Sequence, residues 1–117
     1  MSTRRVVVTG IGAFTPIGKS APDFWNGLVS GKNGVRHVEH FDTENFATKF
    51  AAQIDNYEPT DYFDRKEARR LDKVAQYALI ASGEAIEDSQ LDLENINKDN
   101  VAVLVGTGIG GMETFYE

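Results

Sequence analysis

The chain has 117 residues, 41% of them apolar and 26% charged, with a formal charge of −6 and no cysteine. That length bounds it to one domain, and the composition is that of an ordinary soluble globular protein. The missing cysteine excludes a disulfide framework, a thiolate metal site and a thiol nucleophile within these residues, and the acidic balance argues against general nucleic-acid affinity.

Residues 4–9 read as a first strand, closing on Gly10-Ile11-Gly12. Arg4-Arg5 before Val6-Val7-Val8 imitates a secretion signal, but Thr9-Gly10 cuts the apolar run too early for one. No stretch approaches bilayer-spanning length, so the default compartment is the cytoplasm. Gly12 to Ser20 invites a phosphate-loop reading, which needs GxxxxGK[ST]. Here five residues separate Gly12 from Gly18, Ala13 stands where the first glycine belongs, and Pro16 removes an amide from the cradle. A strand-to-helix turn is the better account. Ser20 then supplies an N-cap, Pro22 fits the first helical turn, and Phe24, Trp25, Leu28 and Val29 follow at helical spacing up to Gly31.

Residues 32–60 are less regular. Asn33-Gly34 signals a turn and Lys49 to Ile54 a short strand. His37 and His40 sit in this stretch near Glu39 and Asp42, with no third zinc ligand and no nucleophile to complete a dyad. They read as surface or hydrogen-bonding histidines, and no metal site is expected. Asp64 and Glu67 form a capping pair that opens the longest helical stretch. Leu71, Val74, Ala75, Ala78, Ser82, Ala85 and Ile86 give it an apolar stripe of mostly small residues, which predicts close approach to another element. Leu79 and Ile80 widen that stripe and predict deep burial. Residues 95–100 are a polar connection.

Val101 to Val105 is the last strand, of the unbroken aliphatic kind that a sheet covered on both faces requires. Gly106-x-Gly108-x-x-Gly111 follows and matches the dinucleotide fingerprint. That chemistry needs a following helix and a second strand ending in an acid, and neither is legible. Close backbone packing explains the glycines as well. The expected order is therefore strand, helix, short strand, long helix, strand, an α/β layout with a mainly parallel sheet. A covered strand with so few neighbours predicts that these residues open a larger protein.

The charge is not evenly spread. Arg65, Lys66, Arg69, Arg70 and Lys73 face only Glu67 and Asp72, a net +3 within nine residues of an acidic chain. On one continuous helix these bases fall within an arc of roughly 140°. Charged faces are common on solvated helices, yet a face of one sign favours encounter with an acidic partner.

Taken together, these segments resemble the N-terminal part of the β-ketoacyl-acyl carrier protein synthases, of the elongating synthase II type. The resemblance rests on residues 4–12 with Thr15-Pro16-Ile17-Gly18, on Phe41-Asp42-Thr43 and residues 47–51, on residues 65–72 with Gln76-Tyr77-Ala78, and on residues 106–111. It runs in order along essentially the whole chain. It implies a thiolase-like layered α/β sandwich of two similar halves, usually a homodimer, of which residues 1–117 would be an N-terminal segment. It also implies an acyltransferase that extends fatty acyl chains by decarboxylative Claisen condensation with malonyl-acyl carrier protein. No cofactor is implied.

The family's cysteine and two histidines lie downstream of the region matched. No catalytic residue is carried over, and the segment alone is expected to be inactive. By position, Lys66, Arg69 and Arg70 match bases that dock the acidic carrier protein. Ile109, flanked by Gly108 and Gly110, matches the residue gating the acyl pocket. Acyl and malonyl thioesters are the implied substrates, with no nucleic acid and no membrane. Two other readings stand beside this one: a small α/β module binding an acidic protein through the basic helix, and a dinucleotide-binding domain.

Overall fold

The computed structural model of the protein describes residues 3–116, which form two units: residues 13–58, and residues up to 12 together with those from 59 onward.

In the first unit a tight turn precedes the helix. Thr15 N–H donates to the Gly18 carbonyl at 2.8 Å, and Thr15 Oγ1 accepts from the amides of Ile17 and Gly18. The amides of a would-be phosphate cradle are thus spent inside the turn. Helix α1 runs Ala21–Val29, with Ser20 Oγ accepting from Asp23 N–H and proline in the first turn. Its end is a Schellman motif. Lys32 N–H donates to Gly27 O and Gly31 N–H to Leu28 O, with Gly31 at φ 69°. Strands β1, Val35–His37, and β2, Phe50–Ala52, pair antiparallel with Arg36 opposite Ala51. An Arg36–Asp55 ion pair and a Phe14–Tyr57 edge contact at 5.6 Å complete this unit's interactions of note.

The second unit is built on two helices rather than one. Asp64 does open a helix, α2, accepting from the amides of Lys66 and Glu67, but it ends after Arg65–Arg70. Leu71 and Asp72 are extended, and α3, Lys73–Ser89, begins afresh with Asp72 as its N-cap. The apolar period continues across the break, which is why the sequence reads as one helix. Gln76 holds the break: its Nε2 donates to the carbonyls of Ala68 and Leu71 at 2.9 and 2.8 Å. At 2% exposure it is the buried residue of α3, while Leu79, where deep burial was expected, is half-exposed.

The small-residue stripe has the expected reason. Residues 10–12 lie against α3, where a Cβ on Gly12 would collide with the Ala81 carbonyl oxygen and one on Gly10 with that of Ala85. Ile11 N–H donates to Asp88 at 2.9 Å. Glycine here buys close approach, not flexibility.

Three expectations are corrected. Residues 4–9 and 101–105 form no ladder, so among the described residues the only sheet is the antiparallel β1–β2 pair, not a mainly parallel one. A strand exists only through its partner's backbone. Without one, side chains meant for two covered faces stand in solvent, Val6 at 91% and Leu104 at 98% exposure. Finally, a short helix, α4, Met112–Tyr116, follows the Gly-rich turn, where none was expected.

Replacing Gln76 by leucine keeps the volume and removes both donors. The two carbonyls are then left unpaired, and the expected loss is about 1–3 kcal/mol, read from the urea midpoint. A change within about 0.3 kcal/mol would mean that water replaces the amide there.

Candidate functional site

The basic cluster divides at the helix break. Arg65, Lys66, Arg69 and Arg70 belong to α2, whereas Lys73 opens α3, so the single arc drawn over all five does not hold. The four on α2 are exposed and line a surface depression of about 430 Å³. Among the described residues, none of the four has an ion-pair partner. Part of their placement serves the helix itself. Acids Asp64 and Glu67 stand at the N-terminal turn and Arg69 and Arg70 at the C-terminal turn, the arrangement that complements the backbone dipole. That accounts for Arg69 and Arg70 but not for Lys66, which stands near the positive end.

The Gly-rich turn is fastened to the start of α3 just after Ile109, through Gly110 and, beyond it, Thr114. A Cβ on Gly110 would lie 2.7 Å from Thr107 Oγ1 and 2.9 Å from Val74 Cγ2, so only glycine admits this approach. Gly108, by contrast, has open space where a side chain would go. Gly111, at φ 76°, turns the chain into α4, whose Phe115 N–H returns to the Gly111 carbonyl at 3.0 Å. Ile109 itself projects into solvent, 83% exposed. Of the residues singled out for the acyl pocket, all three are exposed, and only Gly110 has a close neighbour, Val74, where a side chain would stand.

Asp72 joins these parts, and sequence reasoning counted it only as an opposing charge. Its Oδ1 accepts from Val74 N–H at 3.1 Å, capping α3. Its Oδ2 accepts from Thr114 Oγ1 at 2.8 Å and Thr114 N–H at 3.2 Å, reaching α4 across 42 residues. An aspartate inside an otherwise helical stripe was the available signal of a fresh N-cap; nothing local announced Thr114. Arg69, Arg70, Leu71, Asp72, Gln76 and Thr114 line one depression of about 270 Å³. The cap to Val74, then the bonds from Thr114, and lastly the nearby Lys73 ammonium hold the Asp72 carboxyl below the ordinary aspartate range.

In the first unit, a depression of about 720 Å³ is lined by Lys19, Lys32, Arg36, Asp23 and Asp55 among others. Its cations are engaged: Lys19 Nζ donates to Asn56 O at 2.6 Å, Lys32 Nζ to Ile17 O at 3.2 Å, and Arg36 pairs with Asp55. His37 on β1 and His40 beyond it are exposed, and among the described residues no three ligating side chains come together as a metal site. No helix among them is long and apolar enough to cross a membrane. The five residues of α4 are less than two turns, a poor base for a dinucleotide's pyrophosphate.

Comparison with known proteins bears on the same segments. The family described as beta-ketoacyl synthase, N-terminal domain, matches residues 3–117. A 3-oxoacyl-[acyl-carrier-protein] synthase 2 from Synechocystis sp. is 42% identical over 113 residues, 97% of this chain and 27% of that protein. Its counterpart from Staphylococcus aureus strain N315 is 43% identical over 112 residues, 96% of this chain and 27% of that protein. Among solved structures, the ishigamide ketosynthase/chain length factor superposes with a TM-score of 0.69 at 30% identity, covering 81% of this chain and 24% of that one. The chain thus spans about a quarter of the length of the curated relatives it matches. The fold is the α/β, thiolase-like one of the ketosynthases.

The depressed Asp72 carboxyl has a pH signature. A lowered folded-state pKa contributes stability that is present above the unfolded value of 3.8 and lost as pH falls through the lower folded one. Followed by NMR, the Asp72 carboxyl is expected to titrate with a midpoint below 3.8, and the Thr114 amide shift with it. In Asp72→Asn the Thr114 shift loses that transition. A midpoint at or above 3.8 would contradict the hydrogen bonds described.

Proposed function

The chain belongs to the β-ketoacyl synthase family, and on that premise we propose that it is the N-terminal segment of a 3-oxoacyl-[acyl-carrier-protein] synthase of the elongating, synthase II type. The supporting observation is a likeness of 42–43% identity along nearly the whole chain to proteins of that name. The open apolar segments at 6–8 and 101–105 fit a piece of a larger sheet better than a finished small module.

The reaction is a decarboxylative Claisen condensation. An acyl group passes to an enzyme thiol. Malonyl thioester then loses carbon dioxide, and the electron pair left on its α-carbon attacks the acyl carbonyl. The new carbon–carbon bond forms as the thiolate leaves. Sequence 1–117 holds no cysteine, so on this reading the thiol and the histidines that assist it lie outside it. The working enzyme, by family resemblance, is a cytoplasmic homodimer.

Within the segment, Lys66, Arg69 and Arg70 dock the acidic acyl carrier protein. Their support is physical as well as positional: among the described residues these cations have no ion-pair partner, and they stand on one exposed helix of a chain with charge −6. Exposed opposite charges act chiefly by raising encounter rates, and salt screens them. Ile109 gates the acyl pocket, with Gly108, open on its side-chain face, leaving the backbone room to move and Gly110 holding the turn close to Val74.

In the full-length synthase, Lys66→Glu combined with Arg69→Glu is expected to weaken carrier-protein binding about tenfold or more at low ionic strength, with the difference shrinking toward 0.5 M salt. Titration calorimetry reads this directly. Unchanged affinity at low salt would remove the docking role. A radiolabelled malonyl assay on the same protein is expected to yield 3-oxoacyl product, and its failure to do so would remove the activity itself.

A further inference from the structure

One carboxylate joins α3 and α4, which adjoin the two parts given different tasks, the basic helix α2 and the turn carrying Ile109. Asp72 Oδ1 caps α3 directly after the break that ends α2, and Asp72 Oδ2 receives both the hydroxyl and the amide of Thr114 in α4. The turn carrying Ile109 lies just before α4, and its other anchor, Gly110, packs on Val74. Val74 is the residue whose amide Asp72 caps. The turn is therefore fastened twice to the first turn of α3. Arg69 and Arg70 line the same depression as Asp72 and Thr114, so the basic face runs directly into this fastening.

We propose that Asp72 is a positioning residue, which through Thr114 fixes the Gly-rich turn, and so Ile109, relative to the helix break at the end of α2. The assignment rests on the reading of α2 as the docking helix and Ile109 as the gate. A carboxylate bonded on both oxygens cannot shift toward one partner without stretching its bonds to the other. Movement of α2's end on docking is thereby passed to the start of α4. Within these residues Ile109 is largely exposed, and the contacts that hold its turn to α3 are those of Gly110 and Thr114.

The test compares Thr114→Val, which keeps shape and removes the hydroxyl donor, with Thr114→Ser, which keeps the donor. In the full-length synthase, hydrogen exchange over residues 106–111 is expected to rise about three- to tenfold in Thr114→Val and to stay at the wild-type rate in Thr114→Ser. Exchange over 80–89 should be equal in all three, which separates a loosened turn from an unfolded helix. Condensation kinetics should show kcat falling about threefold or more in Thr114→Val, with KM for the carrier protein within about twofold. Equal exchange at 106–111 in the valine and serine variants would overturn the proposal, as would a valine effect confined to carrier KM. If Lys66→Glu leaves carrier KM unchanged, the docking reading fails by itself, and the exchange comparison still decides the tether.

Discussion

The second unit depends on an interruption of two residues. Leu71 and Asp72 leave the helical path, and the cost of stopping a helix is a set of carbonyls at one end and amides at the other without partners. Both sets are met by neighbouring side chains. Gln76 reaches back to the Ala68 and Leu71 carbonyls, and Asp72 reaches forward to the Val74 amide. Because Gln76 is nearly inaccessible to water, those bonds have no ready substitute. The bend they maintain separates α2, with its exposed bases, from α3, with its small-residue stripe. A continuous helix would carry Lys66 and Ala81 on one rigid rod. The break lets each face be aimed by itself.

Much of this was legible from residue chemistry, wherever the determinant was local. Ser20, Pro22 and Gly31 bound α1 because caps and terminators act within one turn. Asp64 opened α2 for the same reason. Residues 50–52 became a strand as expected, whereas the close packing expected at the glycines of 106–111 holds only at Gly110 and is found instead at Gly10 and Gly12. What failed was non-local. The split at Leu71 follows from Gln76 folding back on α2, and periodicity alone passes over it because the apolar spacing hardly changes across the gap. Thr114 meets Asp72 over 42 positions, a pairing that no window of sequence contains.

The two missing strands teach a related point. Val6-Val7-Val8 and Val101 to Val105 have the composition of covered strands, and composition sets a preference rather than a ladder. Burial of each valine or leucine stabilises by roughly 1.5–3 kcal/mol only when something covers it. Segment 10–12 shows how selective that covering is. Glycine lets the backbone touch α3 there, whereas the valines just before it remain open. Family membership supplies the context: the relatives are about four times this length.

Charge and geometry meet at the end of α2. On the proposed docking reading, attraction of an acidic partner to residues 1–117, of formal charge −6, rests on a local surface whose field acts within a Debye length of roughly 8–10 Å. Arg65, Lys66, Arg69 and Arg70 supply such a surface: Asp64 and Glu67 stand beside them on α2, yet among the described residues none of the four bases is tied up in an ion pair. Asp72, just past the end of α2, accepts hydrogen bonds from Val74 and Thr114. A carboxylate satisfied by three donors is poorly placed to compete for a guanidinium. The bonds that tie α4 to α3 thus engage a carboxylate at the end of α2, and among the described residues it forms no ion pair with Arg69 or Arg70.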